Sequence, residues 1–221
     1  TGIGDEAITL NDTTLAATDL IELEIETTGD INAGSITTLE GSAFKVDEAY
    51  DQYADAGDTQ IINLGDEDVT LTDSSLPADK LKEVNAHTTG PVSAAAAGTI
   101  TGSATDVQDV YTAKGTTGNK ITGLGNEAVT LNDTSLDLTK LNFIDDNTTG
   151  TSGVINVANA GTLVGTVEEA QIAFDSAGIS GTGNENVTLE GTSTTALKLT
   201  NLDAETTGIV TATNYTSISG T

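Results

Sequence analysis

A tandem repeat of about 60 residues constrains this chain more than any other feature of its sequence. Four segments share a pattern of glycine, acid and apolar residues that ends on a leucine, at 2–10, 63–71, 123–131 and 181–189. A Thr-Thr-Gly triplet follows each of them, and its glycine lies 19 residues after the closing leucine in all four copies. Such a repeat predicts an array in which each unit buries its apolar face against its neighbours.

Each repeat also divides into two related halves of about 30 residues. In both 130–141 and 162–174 a short apolar run is followed by a polar turn and an amphipathic segment, which aligns Leu131 with Leu163. A period near 30 residues is typical of one coil of a solenoid. We therefore expect a single solenoid fragment over 1–221. Its approximate repeat units are 1–61, 62–121, 122–179 and a partial 180–221.

Local patterns predict short strands and short helices in each repeat. The β-branched run 128–131 predicts a strand, and apolar spacings from Leu136 to Ile144 predict a helix of two to three turns. Pro77 is expected in the first turn of the matching helix. The glycine of the Thr-Thr-Gly triplet, Gly150 in the third repeat, is expected to end the helix. The predicted fold class is a β-rich α/β solenoid with short helices, and an all-β solenoid is the alternative.

In the second half of the third repeat, Thr166 and Glu169 fit a capping box. Apolar spacings of three and four residues follow them, which makes an amphipathic helix the expectation there.

Composition excludes several classes of partner. The chain carries 34 acidic and seven basic residues, for a net charge of −27. Because phosphate groups are bound by clustered Lys and Arg, nucleic acid binding is excluded. There is no cysteine for a disulfide or a thiolate metal site. No apolar run is long enough to span a bilayer, so we expect no membrane insertion.

Acids at fixed positions of the repeat suggest a calcium site. The candidate ligands are Glu6, Asp12, Glu67, Asp73, Glu127 and Asp133. Calcium takes six to eight oxygen ligands, largely from carboxylates and carbonyls, and it is the one cofactor that the sequence suggests. The alternative is that these acids are solvated corner residues that cap backbone amides.

No pattern in the sequence predicts catalysis, and the chain is expected not to be an enzyme. His87 is the only histidine, and Glu26, Asn147 and Glu205 stand at the matching positions. The chain therefore lacks a catalytic triad and a site built from several histidines. Paired glycines such as those at 123–125 precede a strand, which favours structural corners over a nucleotide-binding loop.

Threonines recur beside the closing leucine of each repeat, as Thr9, Thr70, Thr130 and Thr188. Flat threonine ladders occur in ice-binding solenoids, and this is a minor alternative. Threonine is also common in strands for its packing alone.

The segments 123–150 and 165–179 resemble tandem repeats of very large secreted or cell-surface proteins of cyanobacteria and other aquatic bacteria. The resemblance covers essentially the whole chain. It implies an extracellular array that serves as a structural spacer or adhesion segment. Its implied partners are neighbouring repeats of the same chain, together with cell-surface polysaccharide or other surface proteins. A calcium- or glycan-binding adhesin module is the alternative.

Overall fold

Short parallel strands and short helices alternate along the chain. The protein is seen in a computed structural model that describes residues 4–54, 61–115, 120–148 and 154–220. The helices in these ranges are α1 (Ala17–Glu26), α2 (Ala43–Ala54), α3 (Ala78–His87), α4 (Ala104–Ala113), α5 (Leu138–Asn147), α6 (Val167–Asp175) and α7 (Ala196–Glu205). The strands are β1 (Ile8–Thr9), β2 (Thr14–Ala16), β3 (Ile31–Asn32), β4 (Thr38–Gly41), β5 (Ile61–Ile62), β6 (Asp68–Leu71), β7 (Ser75–Pro77), β8 (Val92–Ser93), β9 (Thr99–Gly102), β10 (Ile121–Thr122), β11 (Ala128–Leu131), β12 (Ser135–Asp137), β13 (Ile155–Asn156), β14 (Thr162–Gly165), β15 (Ile179–Ser180), β16 (Asn186–Leu189), β17 (Ser193–Thr195), β18 (Val210–Thr211) and β19 (Ser217–Ser219).

This alternation confirms the α/β class. The all-β alternative is wrong because the amphipathic segments form helices, and an amphipathic helix buries its apolar face. In α2, for example, Val46, Ala49 and Tyr50 are all buried. The solenoid and its division into four units stay predictions.

The chain forms two compact parts. One comprises Thr1–Gly98 with Asp109–Leu124, and the other comprises Thr99–Gln108 with Gly125–Thr221. In the first part the strands lie in the orders β1-β3-β5 and β2-β4-β6-β8-β10. In the second part they lie in the orders β9-β11-β13-β15, β12-β14-β16-β18 and β17-β19.

The strand register differs from the half-repeat alignment. Leu163 pairs with Leu136 rather than with Leu131, and Leu39 likewise pairs with Leu15. The reason is an additional strand and turn, since the first half of the third repeat carries both β11 and β12 before its helix.

Two helix boundaries also differ from the sequence prediction. Leu136 lies in β12, so α5 begins two residues later at Leu138. Pro77 is the last residue of β7 and has an extended backbone, with φ −66° and ψ 129°. The ring of proline fixes φ near −65°, a value that suits an extended residue before a helix as well as the first turn.

The interior is built from aliphatic ladders. Val69 pairs with Leu39 on one side and with Val92 on the other, and all three side chains are fully buried. Complete burial of one such side chain contributes roughly 1.5–3 kcal/mol. Stacked aliphatic residues therefore supply the core in a chain with only 3% aromatic residues.

The Thr-Thr-Gly triplet binds the corner that opens its own repeat. In the second repeat, Thr88 Oγ1 donates to Glu67 O at 2.7 Å, and Thr89 N donates to Gly65 O at 2.8 Å. The first and fourth repeats make the same threonine contact, from Thr27 to Glu6 O and from Thr206 to Glu185 O. The constant 19-residue spacing thus reflects a contact between the two recurring motifs.

The glycine of the triplet permits close backbone approach rather than stopping the helix. Helix α3 ends at His87, and Thr88 follows it in an extended conformation. A Cβ atom on Gly90 would lie 2.3 Å from Glu67 O, where no side chain fits. Gly150, the residue named for this role in the third repeat, lies outside the described residues.

We expect Gly90→Ala to destabilise the fold by about 1–3 kcal/mol, because the added methyl group overlaps the Glu67 carbonyl. The free energy of unfolding from urea titration, followed by circular dichroism, measures the effect. Gly98→Ala is the matched control, since a Cβ there meets only Ser74 O at 3.6 Å. Equal losses in the two variants would contradict the close-approach account.

Candidate functional site

The six predicted calcium ligands fall into three environments. Glu6 and Asp12 are exposed, and Asp73 and Asp133 are half-buried. Glu67 and Glu127 are almost completely buried, at 2% and 3% exposure. Since a buried carboxylate is stable only when it is bound by donors or cations, the partners of these two glutamates define their role.

The buried glutamates accept hydrogen bonds from their own corner. Glu127 Oε2 accepts from Gly125 N at 2.8 Å and from Asn126 N at 2.9 Å. Glu67 Oε2 accepts in the same way from Gly65 N at 2.8 Å and from Asp66 N at 3.2 Å. The positive φ of the glycine, +121° at Gly125, directs successive amides at one anion. These two corners are therefore anion-binding loops whose ligand is the chain's own carboxylate.

A tyrosine completes the corner of the second repeat. The Tyr50 hydroxyl donates to Glu67 Oε1, and the side chain of Tyr50 is fully buried. Burial, followed by the hydrogen bond to Glu67 and its charge, raises the pKa of Tyr50 far above its ordinary value. The hydroxyl is therefore protonated, and a hydrogen-bond donor, at neutral pH.

The fourth repeat lacks this donor. Phe174 stands where the strand-to-helix alignment of the repeats places Tyr50 and Tyr111. Glu185, the equivalent of Glu67, is 1% exposed, and its Oε1 has no hydrogen-bond partner within the described part of the chain. This corner consequently holds a buried carboxylate oxygen that no described residue satisfies.

The aspartates after the strand cap the helix of the preceding half-repeat. Asp73 Oδ2 accepts from Ala43 N at 2.7 Å, at the start of α2. Asp133 Oδ2 accepts from Ala104 N at 2.7 Å, at the start of α4. A carboxylate at this position binds an amide that lacks a partner within the helix and opposes the positive end of the helix dipole. Amide capping, the alternative to calcium, thus describes the contacts of both aspartates.

Where the aspartate is missing, the helix caps itself. Gly191 occupies this position in the fourth repeat. Helix α6 begins with a capping box, in which Thr166 N donates to Glu169 Oε2 at 2.8 Å and Glu169 N donates to Thr166 Oγ1 at 3.2 Å. This confirms the capping box predicted from the sequence.

A different group of residues has metal-ligand geometry. In the described ranges, one set of three acidic or histidine side chains brings its ligand atoms within 4.8 Å of one another, namely Asp47, Asp51 and His87. None of the six predicted calcium ligands belongs to it. Calcium binding by those six residues stays a prediction.

The Asp47–Asp51–His87 group lies between α2 and α3. His87 Nε2 lies 3.4 Å from Asp47 Oδ1 and 4.0 Å from Asp51 Oδ1. Lys80 Nζ donates to the other oxygen of Asp47 at 2.7 Å. This hydrogen bond, followed by one to Glu83, raises the pKa of Lys80 above its ordinary value, so Lys80 is a cation throughout the neutral range.

An open polar groove of about 700 Å³ adjoins this group. Its polar lining includes Thr9, Asn32, Ser35, Asn63, Asp66 and His87. Asn63 Nδ2 donates to Asn32 Oδ1 at 3.0 Å, and Asn63 has a positive φ of 61°. The groove offers hydrogen-bond donors and acceptors, which suits a polar ligand.

Asp47 and Asp51 are not among the predicted ligands, because that prediction rests on acids at fixed positions of the 60-residue repeat. Gln108 and Gln171 stand at the position of Asp47 in the other repeats. The sequence signal for this group is the departure of Asp47 from the repeat. The four-residue spacing of Asp47 and Asp51 adds to it, because it places both on one side of a helix.

Comparison with protein-family models, with curated proteins and with solved structures gave no match. None of the described helices has the length and apolar character needed to cross a membrane.

We expect Tyr50→Phe to lower the free energy of unfolding by about 1.5–3 kcal/mol, because a buried charged acceptor loses its donor. Urea denaturation measures the loss. Tyr215→Phe is the control, since its hydroxyl donates to the uncharged Glu190 carbonyl, at 3.1 Å, rather than to a buried carboxylate. A loss below about 0.5 kcal/mol in both variants would show that the tyrosine contact contributes little.

The reverse substitution, Phe174→Tyr, is expected to stabilise the protein by about 0.5–1.5 kcal/mol, because it offers Glu185 Oε1 a donor. The gain should disappear when Glu185 is replaced by alanine, and a double-mutant cycle measures this coupling. The same gain in both backgrounds would mean that the new hydroxyl bonds elsewhere.

Asp73→Ala is expected to cost about 0.5–2 kcal/mol, because α2 loses a cap. The melting temperature should fall equally in EDTA and in millimolar calcium, while Asp12→Ala, at an exposed position, should leave it unchanged. A loss seen only with calcium present would contradict the capping account and favour a calcium-ligand role for Asp73.

Proposed function

We propose that this chain is a structural spacer segment of a large extracellular bacterial surface protein that serves adhesion, and that it carries out no catalysis. One observation supports this most strongly: the side chains that recur in the repeats bind other parts of the array. Thr206 binds the Glu185 corner, and Asp133 caps α4. A repeat that uses its recurring residues in this way is suited to stacking copy upon copy.

The array would be a solenoid in which each helix-containing half-repeat forms one coil. All the strand pairings in the two compact parts are parallel, as between β4 and β6 or between β14 and β16. Adjacent strands lie about 4.8 Å apart, so two coils would add about 10 Å of length per repeat. Length would then increase in proportion to the number of repeats, which is the property that a spacer requires.

The charge of the chain fits this role. A net charge of −27 makes neighbouring molecules repel one another and keeps a dense surface layer from aggregating. Neighbouring repeats would be the main partners, with cell-surface polysaccharide or other surface proteins as further contacts at the ends or sides of the array.

X-ray scattering from the chain and from tandem fusions of two and three copies tests the proposal. We expect a constant cross-section and an increase in maximum dimension of roughly 35–40 Å per copy, from strand spacing alone. A cross-section that widens with copy number, or fused copies that collapse into one compact particle, would refute the spacer.

A calcium- or glycan-binding adhesin module is the second candidate, favoured by the polar groove beside His87. Calorimetric titration with calcium and with a panel of surface polysaccharides tests it. Saturable heat with either ligand would support a binding module. No heat with calcium and no calcium-dependent rise in melting temperature would exclude a calcium-binding module.

A further inference from the structure

We propose that Asp47, Asp51 and His87 bind a divalent transition-metal ion of the zinc and cobalt class. The site lies on the facing surfaces of α2 and α3 and shares no residue with the predicted calcium ligands. Metal binding goes beyond the spacer role and does not depend on it, since an array of repeats can extend from a surface with or without a bound ion.

The spacing of the donor atoms fits such an ion. Zinc binds histidine nitrogen and carboxylate oxygen at about 2.0–2.2 Å, which places neighbouring ligands of a tetrahedral site about 3.3 Å apart. The distance from His87 Nε2 to Asp47 Oδ1 is 3.4 Å, and that to Asp51 Oδ1 is 4.0 Å. The Asp51 side chain is 70% exposed, so rotation about its own bonds can close the remaining gap.

Two of the three ligands are held in place before any ion arrives. Asp47 is 6% exposed, and Lys80 fixes its Oδ2 at 2.7 Å, which leaves Oδ1 towards His87. The imidazole ring stacks on Tyr50 with centroids 5.2 Å apart and planes 13° from parallel. The hydroxyl of Tyr50 is in turn bound by buried Glu67. Contacts of this kind orient metal ligands and strengthen binding.

The local charge favours a dication despite the nearby ammonium group. Lys80 Nζ is shared between Asp47 and Glu83, at 2.7 Å and 2.5 Å. Together with Asp51, these side chains carry three negative charges against one positive charge. The ammonium group binds Asp47 Oδ2, whereas Asp47 Oδ1 is the oxygen that lies 3.4 Å from His87 Nε2, which leaves Oδ1 available to an ion.

The donor set selects the class of ion. Calcium and magnesium prefer oxygen ligands throughout, whereas imidazole nitrogen suits zinc, copper and nickel. One nitrogen and two carboxylates therefore favour a borderline transition metal over calcium. Three protein ligands leave at least one coordination position for water or for a donor from another molecule. His87 also lines the polar groove, so such a donor can reach the metal from there.

Asp47 and His87 depart from the repeat together, which separates them from the scaffold, whereas the position of Asp51 carries an aspartate again in the third repeat, as Asp175. Gln108 and Gln171 replace Asp47 in the other copies, and Asn147 replaces His87 in the third. The same local fold forms around those residues, since α4, α5 and α6 are all present. Asp47 and His87 are therefore not required for stacking, and the repeat itself supplies substitutions that the fold accommodates.

The test titrates the untagged chain with Zn²⁺ by calorimetry and with Co²⁺ by visible absorption, at about 0.15 M salt to screen nonspecific attraction to the acidic surface. We expect one saturable site per chain, cobalt ligand-field bands and a higher melting temperature with zinc. His87→Asn and Asp47→Gln should each weaken binding by at least about tenfold. Calcium should neither bind there nor displace the ion.

The matched control is Glu48→Gln, which removes one negative charge from α2 at a side chain that pairs with Lys45 rather than with the site. It should bind zinc as the unmodified chain does. Circular dichroism and melting without metal confirm that each variant folds. No saturable binding, or equal zinc affinity in His87→Asn and the unmodified chain, would overturn the proposal. The spacer is tested separately, because the scattering increments do not depend on zinc.

Discussion

The buried glutamate corner is the interaction on which the rest of the structure depends. At Glu67, the carboxylate binds two backbone amides, while the carbonyl of the same residue accepts from Thr88. One residue thus closes its own turn and holds the end of α3 against it. Because a buried carboxylate without partners is costly, the amides of the turn stabilise it locally, while the bond from Thr88 joins this local turn to a segment about 20 residues further along the chain.

Helix caps and aliphatic ladders compensate for the shortness of the strands and helices in each repeat. Several strands have only two residues, and α3 has ten, so neither kind of element is stable alone. Asp73 and Asp133 cap helices that begin about 30 residues earlier in the chain. Aliphatic ladders and caps of this kind spread the stabilisation over many neighbouring contacts instead of concentrating it in one aromatic core.

Residues that recur in the repeats and residues that occur in one repeat have different roles in this chain. Recurring residues such as Thr88 and Asp133 bind backbone groups of the same chain. They are therefore poor candidates for binding an external ligand. Asp47 and His87 occur once and meet between α2 and α3. In a repeat protein, chemistry that serves a partner is therefore best sought where one copy departs from the others.

The sequence by itself determined the α/β class, the approximate helix positions and the capping box at Thr166. These are local or periodic signals, carried by residues three or four apart. The tertiary structure alone decided that Leu163 lies beside Leu136, that Glu67 is buried, and that Asp47 meets His87. Strand register and helix packing bring together residues far apart in the chain, and periodicity fixes the spacing of the copies without fixing which strand lies against which.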